Sequence, residues 1–150
     1  LIVSTTGCDT DFTAKLTDVY PDGRSMLIID GIARARFREG YSGILKPAPK
    51  DGKMKIRVYV GDTAYVFNKG HKIRLAISSS NNPRFSVNTN TCEDAAFPLN
   101  LLQSLYNSVK NKKKESPLNG TEYVTVENTL FTGGADASSI VFDTLELGKK

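Results

Sequence analysis

His71 is the only histidine among the 150 residues. Any Ser-His-Asp machinery would have to use it, with a serine such as Ser79 and an acid from elsewhere. It stands beside Gly70 at the mouth of an alternating segment, which suits a ring hydrogen-bonding a turn, and that structural role is the expectation. No Gly-x-Ser-x-Gly occurs in the sequence, so the turn on which α/β-hydrolases present their serine is missing. No catalytic residue is therefore expected. Asp9, Asp11, Asp18, Asp22 and Asp30 could suggest calcium, but they lack the EF-hand spacing and its closing glutamate. Turn capping and strand ends account for them, and no metal ligand is expected. Gly133-Gly134 is too short to cradle a phosphate, and no cofactor is expected. Cys8 and Cys92 are too few and too far apart for a metal site by themselves. The expectation is two free thiols in a reducing cytosol, with a disulfide as the open alternative.

The elements that would position these groups are mostly strands. Lys72 to Ser78 alternates strictly, with Ile73, Leu75 and Ile77 on the core face and Lys72, Arg74 and Ala76 on the other. Asn68-Lys69-Gly70 supplies the turn before it. From Asp11 to Val19, Phe12, Ala14 and Leu16 should point inward while Thr13, Lys15 and Thr17 face water. Pro21-Asp22-Gly23 is a tight turn, and Ser25 to Ile29 a buried strand. Asp30-Gly31 reads as a bulge or bend, followed by a strand in which Ala33, Ala35 and Phe37 alternate with Arg34, Arg36 and Arg38. Tyr41 to Asp51, rich in proline and glycine, should be a loop. Lys53 to Val60 resumes a period of two, with Met54, Ile56, Val58 and Val60 inside. Val124 and Val126 mark a further strand, Thr132-Gly133-Gly134 a loop, and Ser139 to Leu147 the last strand. Many short alternating strands between turn signals indicate a two-layer β-sandwich.

One segment has a different period. Leu99, Leu102, Leu105, Tyr106 and Val109 recur at helical spacing after Pro98, and the lysines from Lys110 to Lys114 suit a helix C-terminus. A single amphipathic helix is expected near residues 98–110.

Composition narrows the function. Charged residues at 24% and apolar ones at 39% describe a globular chain, and no apolar run reaches membrane-helix length. The net charge of +4 comes largely from basic residues alternating with apolar ones, as at Lys53, Lys55 and Arg57. A solvated strand face explains them, and no nucleic-acid signature accompanies them. A sugar-binding groove is the alternative that sandwiches invite, but the chain has no tryptophan and six unclustered tyrosines. With no signal-like opening, the expected location is the cytoplasm. Leu1-Ile2-Val3-Ser4 reads as the middle or end of a strand, so the expectation is a chain cut from something larger.

Two blocks carry a resemblance. The first is Asp9-Thr10-Asp11-Phe12-Thr13-Ala14-Lys15-Leu16-x-Asp18-Val19-x-Pro21-Asp22-Gly23, then Asp30-Gly31-Ile32-x-Arg34-Ala35-Arg36-Phe37-Arg38. The second is Phe67-x-x-Gly70-His71-x-Ile73-Arg74-Leu75, then Ser78-Ser79-Ser80-x-x-Pro83-Arg84-Phe85 and Asn88-x-Asn90-Thr91. In this order they resemble the C-terminal domain of the X-Pro dipeptidyl-peptidase and cocaine-esterase-like serine hydrolases, over roughly residues 3–91. The resemblance implies an all-β jelly-roll, galactose-binding-like β-sandwich, with the helix near 98–110 as an insertion. It also implies one domain over residues 1–150 that lacks its first strands and the upstream catalytic α/β-hydrolase domain. The family's catalytic residues lie in that domain, so no position here inherits them.

The implied role is a non-catalytic module bracing the hydrolase domain and shaping its cleft. A free-standing carbohydrate- or protein-binding module is the alternative. The partners implied are the upstream α/β-hydrolase domain and a second copy of the chain, with no nucleic acid and no membrane. The stretch suited to meet a neighbouring domain is the polar loop after the organising strand, with Ser79, Ser80, Asn81, Asn82, Arg84, Phe85, Asn88 and Asn90. A self-satisfied loop that closes the sandwich uses the same residue types.

Overall fold

In a computed structural model, residues 1–40, 46–50, 52–92, 123–135 and 137–143 are described. They form an all-β sandwich of two antiparallel sheets. The strands are β1 (Ile2–Thr5), β2 (Asp11–Val19), β3 (Ser25–Arg34), β4 (Met54–Lys55), β5 (Lys72–Ser78) and β6 (Asn128–Leu130). Among the described residues one sheet has the order β4-β1-β6 and the other β3-β2-β5. The expected helix near 98–110 lies outside the described residues.

The core lies between the layers. Val3 and Met54 from the first sheet meet Phe12 from the second, with Ile56, Ala35 and Ala48 completing the cluster. Ala33, Ile77 and Leu130 pack on its edges. β2 is the middle strand of its sheet, paired along its whole length with β3 and from Thr13 to Val19 with β5. β1 is likewise central, with partners on both sides. Its residues therefore read as strand because they are a sheet centre.

Two turns hold the register of the longer sheet. Tyr20 accepts the amide of Gly23 at 2.9 Å and Gly23 takes φ +89°, a conformation that costs glycine little. Before β5, the amide of His71 donates to the carbonyl of Asn68 at 3.0 Å.

Several expectations need correction. Thr13 is fully buried rather than facing water, because β2 is covered on both faces. Ser25 to Ile29 is a strand, but Ser25, Met26 and Leu27 are exposed. The irregularity lies opposite Leu16/Thr17, where Ile28 has no partner, and not at Asp30-Gly31. β3 runs on through those two residues, and Gly31 is there because a Cβ would strike the carbonyl oxygen of Tyr59 at 2.2 Å. Residues Ala35–Phe37 form a 3-10 turn instead of a strand.

Between Lys53 and Val60 only Met54 and Lys55 are in a ladder, yet the alternation survives as burial: Met54 and Ile56 are inside, Lys53, Lys55 and Arg57 outside. The strand near Val124 falls at Asn128–Leu130, because Val124 exchanges backbone and side-chain bonds with Thr89 and Asn90. Residues 139–143 form no strand, and 144–147 lie outside the described residues. The thiols are not free: Cys8 and Cys92 form a disulfide.

β5 has the expected bounds but not the expected burial. Leu75 and Ile77 are half-buried, whereas Ile73 is 54% exposed. Ile73 lies in the row of Asp18, farther along the sheet than the Phe12 row that joins the core cluster. Ile56→Ala, which empties a site 1% exposed, should cost about 2–5 kcal/mol in chemical denaturation. Ile73→Ala should stay within about 0.5 kcal/mol of the unchanged chain. Equal losses at the two positions would mean that the layers are misassigned.

Candidate functional site

The expected loop does not hang free. It is strapped across the face of the second sheet opposite Phe12, Ala14 and Leu16. Strand alternation puts Asp11, Thr13 and Lys15 on that face, and the register adds Asp30 opposite Lys15. Asn81 Nδ2 donates to Asp30 Oδ2 at 2.8 Å, and Arg84 Nε to Asp30 Oδ1 at 2.9 Å. Arg84 also lies 5.4 Å from the centre of the Phe85 ring.

Further along, the buried Asn88 donates through Nδ2 to Asp9 Oδ2 at 3.0 Å and Asp11 Oδ1 at 2.8 Å. Its Oδ1 accepts the amide of Asn90 at 2.8 Å, a local turn that lets Asn90 adopt φ 62°. Asn90 Nδ2 then donates to the carbonyl of Val124 at 2.9 Å. Ser80 contributes a carbonyl to Ser78 Oγ. Ser79, Ser80 and Asn82 are exposed, and the Asn82–Pro83 peptide is cis. Asn81, Arg84, Asn88 and Asn90 thus anchor the loop, while Ser79, Ser80 and Asn82 remain on its outer surface.

The anchors on the sheet side, Asp9, Asp11 and Asp30, do more than cap turns and strand ends. Asp11 faces Arg34 across the β2–β3 ladder. Arg34 Nε donates to Asp11 Oδ1 at 2.8 Å and Nη2 to Oδ2 at 3.1 Å. That hydrogen bond, against the opposing effect of burial, holds the Arg34 guanidinium above its ordinary pKa. Two residues on, Asp9 receives both the Arg36 amide and the Arg36 Nε, and Arg36 Nη2 reaches the carbonyl of Thr91 at 3.1 Å. Arg36, which alternates with Ala35 and Phe37 in the sequence, is buried. The signal was present in the sequence: Asp9-x-Asp11 and Arg34-x-Arg36 have the same spacing, which antiparallel pairing brings face to face.

The disulfide closes the same corner. Cys8 precedes Asp9, Cys92 follows Thr91, and the Cα atoms are 4.9 Å apart. With a sequence separation of 84, the chain-entropy treatment assigns such a link about 4–5 kcal/mol.

His71 takes part in a second cluster, at the other end of β2. Its Nδ1 lies 2.9 Å from Asp18 Oδ1 and 2.8 Å from Oδ2, and Tyr65 OH donates to Oδ2 at 2.8 Å. Nδ1 carries the proton, as its carboxylate partner requires. The His71 ring packs on Tyr20 with centroids 4.3 Å apart, and the guanidinium of Arg24 lies 4.8 Å from the Tyr20 ring centre. The Asp18 side chain is fully buried on the inner face. Burial pushes the Asp18 carboxyl up, but the hydrogen bonds from His71 and Tyr65 outweigh it and hold it below the ordinary value. Tyr65, donating to that carboxylate, is pushed up to about 12.

His71 therefore bonds a buried carboxylate across the sheet, besides closing its own turn with its backbone. Its Nδ1 and a carboxylate are the second half of a triad. Ser79, the serine weighed as its partner, lies just past the other end of β5 and is not brought to it. Among the described residues no group of three His, Cys, Asp or Glu side chains is arranged to hold a metal ion.

The comparisons with known proteins agree with this architecture. The chain belongs to the family described as the X-Pro dipeptidyl-peptidase C-terminal non-catalytic domain, which matches residues 1–141. It is 43% identical over 93 residues to the cocaine esterase of Rhodococcus sp. (strain MB1 Bresler), covering 61% of this chain and 16% of that protein. An aminopeptidase from a marine sediment archaeon of the Thaumarchaeota superposes with a TM-score of 0.57 at 30% identity, covering 61% of this chain and 16% of that one. An alpha-amino acid ester hydrolase does so with a TM-score of 0.58 at 28% identity, covering 65% and 18%. The chain thus spans less than a fifth of the length of these relatives. Among the described residues no helix is long and apolar enough to cross a membrane.

Two measurements check the clusters. Arg36→Ala leaves Asp9 buried without its guanidinium and should cost about 3–5 kcal/mol of unfolding free energy, the scale of a broken buried pair; a loss below about 1 kcal/mol would make the pair incidental. Tyr65 has its folded pKa above its unfolded value, so its contribution is complete below pH 10.0 and disappears as pH rises toward about 12. Stability should fall across that window, and the tyrosinate absorbance step should move toward the last-titrating tyrosines. In Tyr65→Phe both features should vanish; an unchanged alkaline profile would count against the Asp18 bond.

Proposed function

We propose that the chain is the non-catalytic C-terminal module of a serine hydrolase of the X-Pro dipeptidyl-peptidase or ester-hydrolase type. In this reading it is one jelly-roll domain, galactose-binding-like in its connections, that braces an upstream α/β-hydrolase domain and forms part of its cleft wall. The observation that carries the reading is the family match over residues 1–141, together with relatives that are hydrolases several times longer. The names of the family and of those relatives, an X-Pro dipeptidyl-peptidase, an aminopeptidase and two ester hydrolases, mark the range open to the parent: an ester, an amide or an X-Pro peptide.

The loop over residues 79–90 supports this role in a divided way. Asn81, Arg84, Asn88 and Asn90 hold it to the sheet, and that rigidity lets Ser79, Ser80, Asn82 and the Phe85 edge meet a neighbour without first being ordered. Phe85 itself is half-buried beneath Arg84. Homo-oligomer formation belongs to the same reading, through a second copy of the parent. A cytoplasmic location would fit two free thiols; the Cys8–Cys92 bond supports an oxidising compartment instead.

The isolated chain should not turn over an activated ester such as p-nitrophenyl acetate. Fused behind the parent's hydrolase region, it should raise that region's midpoint of thermal inactivation. Turnover by the isolated chain that is lost in His71→Ala or Ser79→Ala, or a hydrolase region indifferent to the fusion, would overturn the reading.

A further inference from the structure

Cys8 and Cys92 are joined at a corner that polar groups already close beside them. Cys8 lies in the crossing from β1 to β2, and Cys92 stands at the end of the polar loop. One residue inward on each side, the Arg36 side chain donates through Nε to Asp9 and through Nη2 to the carbonyl of Thr91. A single guanidinium thus spans the same two segments as the disulfide. Asn88 makes a second crossing, donating to Asp9 and Asp11. Each segment also has a hold of its own. The carbonyl of Cys8 accepts the Ala48 amide at 2.7 Å, and the carbonyl of Thr89 accepts the Val124 amide at 3.0 Å.

A disulfide acts chiefly by restricting the unfolded chain. Where neighbouring groups already hold the two segments together, its loss changes the folded shape little and the unfolding equilibrium much. The bond is also within reach of solvent. Cys92 is exposed and Cys8 half-buried, so the Cys92 side is the one that a reductant meets, and thiol–disulfide exchange depends on such access.

We propose that Cys8–Cys92 is a redox-sensitive latch that opens and closes in the folded protein, with Arg36 and Asn88 keeping its two halves in place while it is open. A thiolate of a dithiol reductant attacks the Cys92 sulfur, the S–S bond breaks, and Cys8 leaves as a thiolate. The reductant's second thiolate then attacks the reductant's own sulfur in the mixed disulfide and releases the Cys92 thiolate. Two electrons have passed to the protein pair, the reductant has become a cyclic disulfide, and its two protons end on Cys8 and Cys92. A small-molecule disulfide as oxidant reverses the sequence. Reclosing is intramolecular, because the polar crossings hold the thiols' segments at an effective concentration that a second chain does not reach. The latch therefore sets how strongly the domain resists unfolding in oxidising and in reducing surroundings, with one folded shape in both.

The test treats the chain with dithiothreitol in native buffer and counts its thiols with a maleimide. Both cysteines should be labelled after treatment and neither before it. Amide resonances should move only around residues 8–9, 36 and 88–92. Thermal unfolding should stay cooperative at a lower midpoint, and oxidised glutathione should restore that midpoint. Arg36→Lys keeps the positive charge without the two-pronged reach, so after reduction it should reclose several-fold more slowly than the unchanged chain. If that variant does not fold, Asn88→Ala, which removes the second crossing, takes its place in the same measurement. Thiols that appear only in denaturant, resonances that collapse throughout the chain on reduction, or disulfide-linked dimers on reoxidation would each overturn the latch. Reclosing at the unchanged rate in the variant would overturn the part given to the polar crossings.

Discussion

Burial of charge on and beside one central strand is the constraint from which most of this structure follows. Asp11 and Asp18 lie on β2 and Asp9 just before it, and all three side chains are hidden from solvent. An unpaired carboxylate in such a place costs several kcal/mol, so each must be met by donors from elsewhere in the chain. Arg34 arrives from the end of β3 and Arg36 from the 3-10 turn after it, Asn88 from the loop after β5, and His71 and Tyr65 from the segment before β5. The partners come from distant parts of the sequence, and their obligation to converge is what fixes the loops. The apolar core supplies the driving force, but it could be satisfied in more than one register. The charge pairs admit one.

This explains why the second sheet is covered so differently on its two sides. On the outer side the polar loop takes the place of a second apolar layer, because the residues it must cover, Asp9, Asp11, Thr13 and Asp30, are polar. The disulfide joins the loop's end to the start of the same stretch, next to the Arg36–Asp9 pair. On the inner side the packing is apolar over Phe12 and thins toward Asp18, where a hydrogen-bonded cluster replaces the core. Each face is therefore closed by the chemistry that its own residues require.

What was legible in the sequence was whatever depends on local period and turn chemistry. β2 and β5 were bounded correctly because their alternation is strict and glycine turns precede or follow them. Met54 and Ile56 were placed inside for the same reason, even though only two residues of that run enter a ladder. Period alone does not say whether a face meets a second layer, so Ile73 was put in the core and Thr13 in water. Nor does it distinguish a solvated arginine from a paired one. Arg34 and Arg36 alternate with alanine and phenylalanine as a surface strand would, and only the register across to Asp11 and Asp9 reveals them as partners. The eight residues of the candidate loop were located as a group; which of them face the sheet depended on where Asp30 and Asp9 point, which local sequence cannot specify. The contact between Cys8 and Cys92 belongs to the fold, so composition and compartment alone do not reveal it.

The Asp18–His71 pair shows how the same residue types serve different ends. A carboxylate on Nδ1 fixes a histidine's tautomer and ring plane, and in a hydrolase that frees Nε2 to take a proton from a serine. Here the same fixing is in place, but the ring is packed against Tyr20 and the carboxylate is shared with Tyr65. The histidine has one edge on a buried acid and one face on an aromatic ring, an arrangement that rewards immobility. A general base must instead present its free nitrogen to a reacting group, and the serines nearest in sequence, Ser78 to Ser80, lie at and beyond the far end of β5. The pair is therefore best understood as the internal counterpart of the Arg34–Asp11 and Arg36–Asp9 pairs. It gives the third buried acid its hydrogen-bond partner, at the end of the sandwich where apolar cover gives out.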